Sequence, residues 1–180
     1  MNTFLPKGYK APAGSNSFMK LQEGANRFRI ISDAVIGWEG WKDNSPFRRE
    51  GIDINITADE VDVDAKYNKP KINHFWAFKV FDYTDSSVKL LELTQKTVLK
   101  AIQGLNDDAD WGDPKAYDIS ITKTKEGDRT SYAVKAYPPK PLTDEVQEAC
   151  DASDVDPKSL FNDVDDTAGL PVKRPLGKKK

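Results

Sequence analysis

Alternation of apolar and polar residues begins at Asn26. Phe28 and Ile30 fall on one side of the chain and Arg27 and Arg29 on the other, and the pattern runs through Ala34-Val35-Ile36 to Trp38. A period of two predicts a half-buried strand. The most apolar segment, Ile72 to Tyr83 (INHFWAFKVFDY), has no Gly or Pro and stops at Thr84-Asp85-Ser86-Ser87. A strand, a turn and a second strand over Val88 to Leu93 are expected there. At Thr94 the period changes: Val98, Ile102 and Leu105 recur at helical spacing, Thr94 is a candidate N-cap, and Gly104 with Asn106 mark the stop. Two more alternating segments follow, Tyr117-Ile119-Ile121 and Tyr132-Val134-Ala136, joined by a turn at Lys125-Glu126-Gly127-Asp128.

The order strand, strand, strand, helix, strand, strand predicts a mainly β fold. It fits a five-stranded OB-fold barrel with its helix between strands 3 and 4. A β-sandwich has no need of a helix at that place. Residues 1–20, rich in Gly, Pro, Ser and Asn, read as a flexible N-terminal arm, 21–142 as the barrel domain, and 143–180 as a C-terminal tail. Lys42 to Lys71 reads mostly as loop, with Ile52, Ile54 and Ile56 as candidates for a short hairpin. In the tail, Thr143 to Cys150 has an N-cap but only a weak apolar stripe, so a helix there is expected to pack weakly. Pro157 to Phe161 is a further candidate turn of helix.

Composition narrows the function. The chain has 180 residues and a formal charge of −2, but 143–166 holds nine acids and one lysine, and 167–180 holds five bases and no acid. The remaining 142 residues are close to neutral, so the net charge reports the tail. No apolar run approaches the roughly 20 residues of a membrane span, and Met1 to Lys20 lacks a signal-peptide pattern, so a cytoplasmic protein is expected. One cysteine, Cys150, and one histidine, His74, cannot furnish a disulfide or a usual zinc site, and no cofactor is expected. Nucleotide-binding glycine loops, nucleophile elbows and zinc-protease motifs are missing, which argues against an enzyme. Asp107, Asp108, Asp110 and Asp113 read as a solvated loop rather than a cation site.

What remains is bases interleaved with aromatic residues, the pairing that single-strand recognition needs: cations for phosphates and flat rings for unpaired bases. Arg27 and Arg29 are expected to project together from the barrel. Trp38 and Trp41 follow, with Gly37 and Gly40 leaving their faces accessible, and then Arg48 and Arg49. In the central segment Lys79 marks one face as outward, which would expose Phe75, Phe81 and Tyr83; the alternative is that a second layer covers them. His74 reads as structural. Lys69, Lys71, Lys123, Lys125 and Arg129 lie where OB-fold loops flank a ligand groove.

The segments KLQEGANRFRIISDAVIGWEGW, KINHFWAFKVFDY, LLELTQKTVLKAI and DADWGDPKAYDISITKTKEGDRTSYAV resemble, in this order, a family of phage-encoded single-stranded DNA-binding proteins with an OB-fold. The resemblance covers about Lys20 to Pro141, and the FWAF and DWGDP stretches carry most of it. It implies a non-enzymatic protein of the bacterial host cytoplasm that coats single strands in phage DNA replication, recombination and repair. The zinc site of some relatives has no counterpart. Trp111 is expected to cap the barrel end, with Gly112 and Pro114 setting the turn. By analogy with acidic tails of such proteins, 143–166 is expected to compete for the basic groove and to offer Leu160 and Phe161 as an anchor for replication or recombination proteins. An OB-fold module for RNA or for a protein partner is the alternative.

Overall fold

The computed structural model describes residues 18–161. It is mainly β. Seven strands form one sheet with antiparallel pairings throughout: β1 (Gly24–Ile30), β2 (Val35–Lys42), β3 (Ser45–Glu50), β6 (Ile72–Asp82), β7 (Ser87–Leu93), β8 (Asp118–Glu126) and β9 (Arg129–Ala136). A two-stranded ribbon, β4 (Val63–Asp64) with β5 (Lys69–Pro70), stands apart from it. The order across the sheet is β3-β2-β6-β1-β8-β9, with β7 on the other side of β6.

β6 organises this arrangement. Its first half pairs with β2 (Ile72↔Gly40 to Ala77↔Val35), its end pairs with β1 (Val80↔Ile30 to Asp82↔Phe28), and Trp76 to Asp82 pair with β7. The sheet curls around one core: Phe28 and Ile30 of β1, Phe78 and Val80 of β6, Leu91 and Leu93 of β7, and Tyr117, Ile119 and Ile121 at and in β8. Helix α1 (Lys96–Asp107), between β7 and β8 in the chain, adds Val98, Leu99 and Ile102. It starts after Gln95 rather than Thr94, with no side-chain cap, and runs through Gly104 and Asn106 before Asp108 N–H closes on Leu105 O.

The segment read as a flexible arm is docked where it is described. Met19 is buried in the core, its N–H donates to Leu90 O at 2.9 Å, and Phe18 makes a parallel bridge with Leu90. Lys123 Nζ donates to Leu21 O at 3.4 Å, so residues 18–21 bridge β7 and β8. The rest of the arm, 1–17, and the tail beyond 161 lie outside the described residues.

Between β2 and β6 the sequence expectation fails in one respect. Ile52, Ile54 and Ile56 form no hairpin; Ile52 and Ile54 are exposed while Ile56 is buried. The hairpin lies earlier, at Asp43-Asn44, both with positive φ (52° and 63°), which turns β2 directly into β3. Asn and Asp tolerate that conformation better than most residues.

The outer face of β6 and β7 is covered by the C-terminal segment. Helix α2 (Asp144–Ala152), capped by the Thr143 hydroxyl, buries Val146 and Cys150 against Phe81. A final turn places Leu160 against Phe75, Ala77 and Leu90, with Val155 and Phe161 beside it. This segment was expected to pack weakly, as part of a separate tail. It packs because β6 is apolar on both faces, and a sheet face bearing Phe75, Ala77 and Phe81 needs a cover.

Asp118 fastens that cover to the sheet. The β1–β8 register sets it opposite Arg29, and its carboxylate accepts from Arg27 Nη2 (2.8 Å), Arg29 Nη1 (3.2 Å) and Tyr83 Oη (3.0 Å). The chain leaving β9 crosses here: Tyr137 N–H donates to Asp118 O, and Arg29 Nη2 donates to Lys140 O at 2.7 Å. Burial alone would raise the Asp118 carboxyl, but donation from Arg27, Tyr83 and Arg29 outweighs it and holds the group below the usual range. Burial and the bond to Asp118 push the Tyr83 phenol up to about 12. A carboxyl held lower in the folded than in the unfolded chain stabilises fully above about pH 4 and loses that contribution as pH falls through the folded value. Asp118→Asn should therefore destabilise the protein at neutral pH by about 3 kcal/mol, since it leaves the buried Arg29 guanidinium without its counter-charge. Urea melts at pH 7 and pH 3 should show the difference between variant and parent shrinking at the lower pH.

Candidate nucleic-acid interface

The β2–β6 register puts Trp38 directly opposite His74, with Ile36 opposite Trp76, on the face that continues the core. The Trp38 and His74 rings lie 4.6 Å apart between centroids, tilted by 46°, and Trp38 Nε1 donates to Ile52 O at 3.2 Å. Neither ring is fully buried, and His74 Nδ1 has no hydrogen-bond partner among the described residues. Two cavities share His74. One, of about 860 Å³, lies toward the β4–β5 ribbon and is lined by Trp38, Trp41, Tyr67, Lys69, Lys71 and Lys96, among others. The other, of about 490 Å³, lies toward α1 and is lined by Ile36, Trp76, Ile102 and a polar rim.

The larger cavity brings aromatic rings and lysines together. Lys69, Lys71 and Lys96 line it and make no ion pair among the described residues. Its one acid, Asp64, accepts the N–H groups of Lys66 and Tyr67 and so holds the ribbon turn. Tyr67 is 63% exposed, with Lys66 Nζ 5.1 Å from its ring centroid. Exposed rings beside uncompensated cations are what stacking and phosphate contact require.

Several residues read from the sequence as DNA contacts have other occupations. Arg29 is 3% exposed and fully engaged by Asp118, Lys115 O and Lys140 O, so it does not project from the barrel. Arg27 is more open but is paired with Asp118 and lies 3.8 Å over the Tyr137 ring. Arg48 is bound between Glu39 (2.8 Å) and Glu92 (2.8 Å) on the outer face, where burial pushes the Glu39 carboxyl up against the pull of Arg48. Arg49 grips Glu60 in a fork (2.6 and 3.1 Å) and donates to Asn55 O, tying the 55–60 loop to β3. That fork, with the Thr57 N–H and hydroxyl, holds the Glu60 carboxyl down at about 2.

The rings on the other face of β6 are not a stacking platform. Phe75 is fully buried and Phe81 nearly so, beneath the C-terminal segment, and Tyr83 is half-buried with its hydroxyl on Asp118. Lys79 on the same face is half-buried. Gly37 and Gly40 admit neighbouring rings rather than exposing the tryptophans: a Cβ at Gly37 would meet Arg49 O at 2.5 Å and Phe75 Cζ at 3.0 Å, and one at Gly40 would meet Phe47 Cζ at 2.7 Å. Trp41 is half-buried, with its Nε1 on Glu39. Lys125 and Arg129 are exposed at the tip of the β8–β9 hairpin, and Lys123 is half-buried; none lines the two cavities that share His74.

Trp111 stacks edge-on to Tyr117 (5.2 Å, 64°) against the core, and Tyr117 Oη donates to Gly112 O. The neighbouring acids serve the loop: Asp108 Oδ1 accepts from Asp110 N–H and Asp113 Oδ1 from Lys115 N–H. His74, Trp76, Tyr67 and Lys96 do not stand out in the sequence as contacts. The available signal is the shared face of His74, Trp76, Phe78 and Val80 on a strand longer than its β1 partner.

The chain is 30% identical, over a 148-residue alignment covering 68% of it, to a protein of Escherichia phage T5 named "Probable ssDNA-binding protein". The alignment covers 56% of that protein, so the chain spans little more than half the length of the curated relative it matches. No family model matches the chain. No solved structure matches it. No helix among the described residues is long and apolar enough to cross a membrane.

Leu160, expected as a free anchor for a partner, is 3% exposed and anchors the chain to its own sheet. Leu160→Ala should weaken that attachment by about 2 kcal/mol or more. Limited proteolysis should then cut between Ser153 and Phe161 faster in the variant than in the parent. Equal rates would show that Leu160 does not hold the segment down.

Proposed function

We propose that the chain binds single-stranded DNA without strong sequence preference, in the groove between β2, the first half of β6 and the β4–β5 ribbon. The observation that carries this is the Trp38–His74 ring pair beside Lys69, Lys71 and Lys96, three cations without ion-pair partners among the described residues. The similarity to the phage T5 protein supports it. In this reading the body is an OB-type barrel. β1 and β2 act as one bent first strand, β6 and β7 follow, α1 comes next, and β8 and β9 complete it. The biological setting is the coating of single strands in phage DNA replication, recombination and repair inside the bacterial host, with no catalytic step.

Titration of the intrinsic tryptophan fluorescence with oligo(dT), oligo(U) and duplex DNA tests the reading. Oligo(dT) should quench and bind with affinity that falls steeply with salt, and duplex DNA should bind far more weakly. Trp38→Ala should weaken oligo(dT) binding about tenfold, the scale of one stacked base at about 1–3 kcal/mol. Replacing Lys69 and Lys71 with Ala should lower the salt slope by about 0.7 for each phosphate left without its lysine. Oligo(U) binding as tight as oligo(dT) would shift the assignment to RNA. Unchanged oligo(dT) affinity in both variants would remove the groove.

A further inference from the structure

The smaller cavity differs from the groove beside it, and the difference indicates what each holds. Its walls include apolar side chains: Ile36 and Trp76 from the sheet and Ile102 from α1. Its rim is polar but acidic, with Asp33, Asp107 and Asp113 against a single base, Lys115, which is itself ion-paired with Asp33 and lies 3.8 Å from Asp113. A phosphate is repelled by such a rim. A neutral, flat, partly apolar group is not, and the volume of about 490 Å³ falls in the range of roughly 300–1,000 Å³ typical of small-ligand sites.

Three further features favour a nucleobase as occupant. The cavity shares His74 with the groove, so a strand stacked on Trp38 and His74 can turn its next base into it. Gln103 and Asn106, one helical turn apart on α1, are among its lining residues and carry side-chain amides. Both are exposed, so their amides are free to turn toward a ligand. Ile52 lines the opening while 78% exposed, and an inserted ring would cover it.

We infer that this cavity is a base pocket that favours bases with an exocyclic amino group, cytosine and adenine, over thymine. The inference rests on the single-strand reading above. The reason is the sign of the rim: ionised carboxylates only accept hydrogen bonds, so Asp107 and Asp113 suit the N4 amino group of cytosine or the N6 amino group of adenine, whereas thymine offers them a single N3–H flanked by the repelling oxygens O2 and O4. The amides of Gln103 and Asn106 can turn to meet either kind of edge and supply orientation rather than choice.

The test compares the affinities of the full chain for oligo(dC) and oligo(dT) of equal length at one salt concentration, in the parent, in Asp107→Asn and in Gln103→Ala. Both substitutions are on the exposed surface of α1 and leave the core intact. The parent should bind oligo(dC) about fivefold or more tighter. Asp107→Asn, which adds a donor and removes a charge, should bring the ratio toward one mainly by strengthening oligo(dT) binding, whereas Gln103→Ala should weaken both oligomers. Equal affinity of the parent for the two oligomers overturns the base pocket and leaves single-strand binding standing. A preference that survives Asp107→Asn unchanged overturns the assignment to this cavity. Failure to bind either oligomer overturns the single-strand reading and this inference with it.

Discussion

The arrangement hangs on one buried carboxylate. Asp118 lies in β8 with essentially no exposure and gathers two arginines from β1, a tyrosine from the end of β6 and the backbone of the chain leaving β9. Removing a charge from water is costly unless its lone pairs are satisfied. Here they are, by groups from separate parts of the chain. The carboxylate holds Arg29 in place, and Arg29 together with the Asp118 main-chain carbonyl fixes the route of the chain at Tyr137 and Lys140, which leads to α2 on the outer face of β6. Without the cover, Phe75 and Phe81 would face water.

Because β6 is apolar on both sides, it divides the molecule into two layers with different duties. Its inner residues Phe78 and Val80 complete the main core, while Phe75, Ala77 and Phe81 receive the C-terminal segment. The first half of the strand extends past the part paired with β1, and there the inner face carries Trp76, packed at the margin of the core, and then His74 next to Trp38. The candidate interface is thus the core face of the sheet continued beyond the core. Its rings are carried on paired strands, which limits the freedom they lose when a ligand stacks on them.

Much of the fold was legible in the sequence. The alternation in β1, β6, β8 and β9 and the helical period of Val98, Ile102 and Leu105 reflect local geometry, and each segment shows its own period. The β2–β3 hairpin was hidden because its signal is a short Asp43-Asn44 pair between segments of weak alternation. The site was harder to read. Arg27 and Arg29 alternate against Phe28 and Ile30 as surface residues do, and only the pairing of β1 with β8 shows that Asp118 meets them. The two-faced pattern of β6 did announce, as one of two options, a second layer over Phe75, Phe81 and Tyr83. Lys79 suggested solvent, whereas α2 and Leu160, distant in sequence, decide the matter.

β3 ends the sheet, and its composition makes it a poor template for another chain. Along Ser45-Pro46-Phe47-Arg48-Arg49-Glu50, Pro46 contributes no N–H, and the last three residues are charged. The arginines are also held in place by Glu39, Glu92 and Glu60, so they stay at the edge as a fixed barrier rather than swinging aside. A second copy approaching edge to edge would meet a missing donor and three charges that it would have to desolvate. An edge of this kind disfavours sheet extension on the β2–β3 side when copies are crowded together.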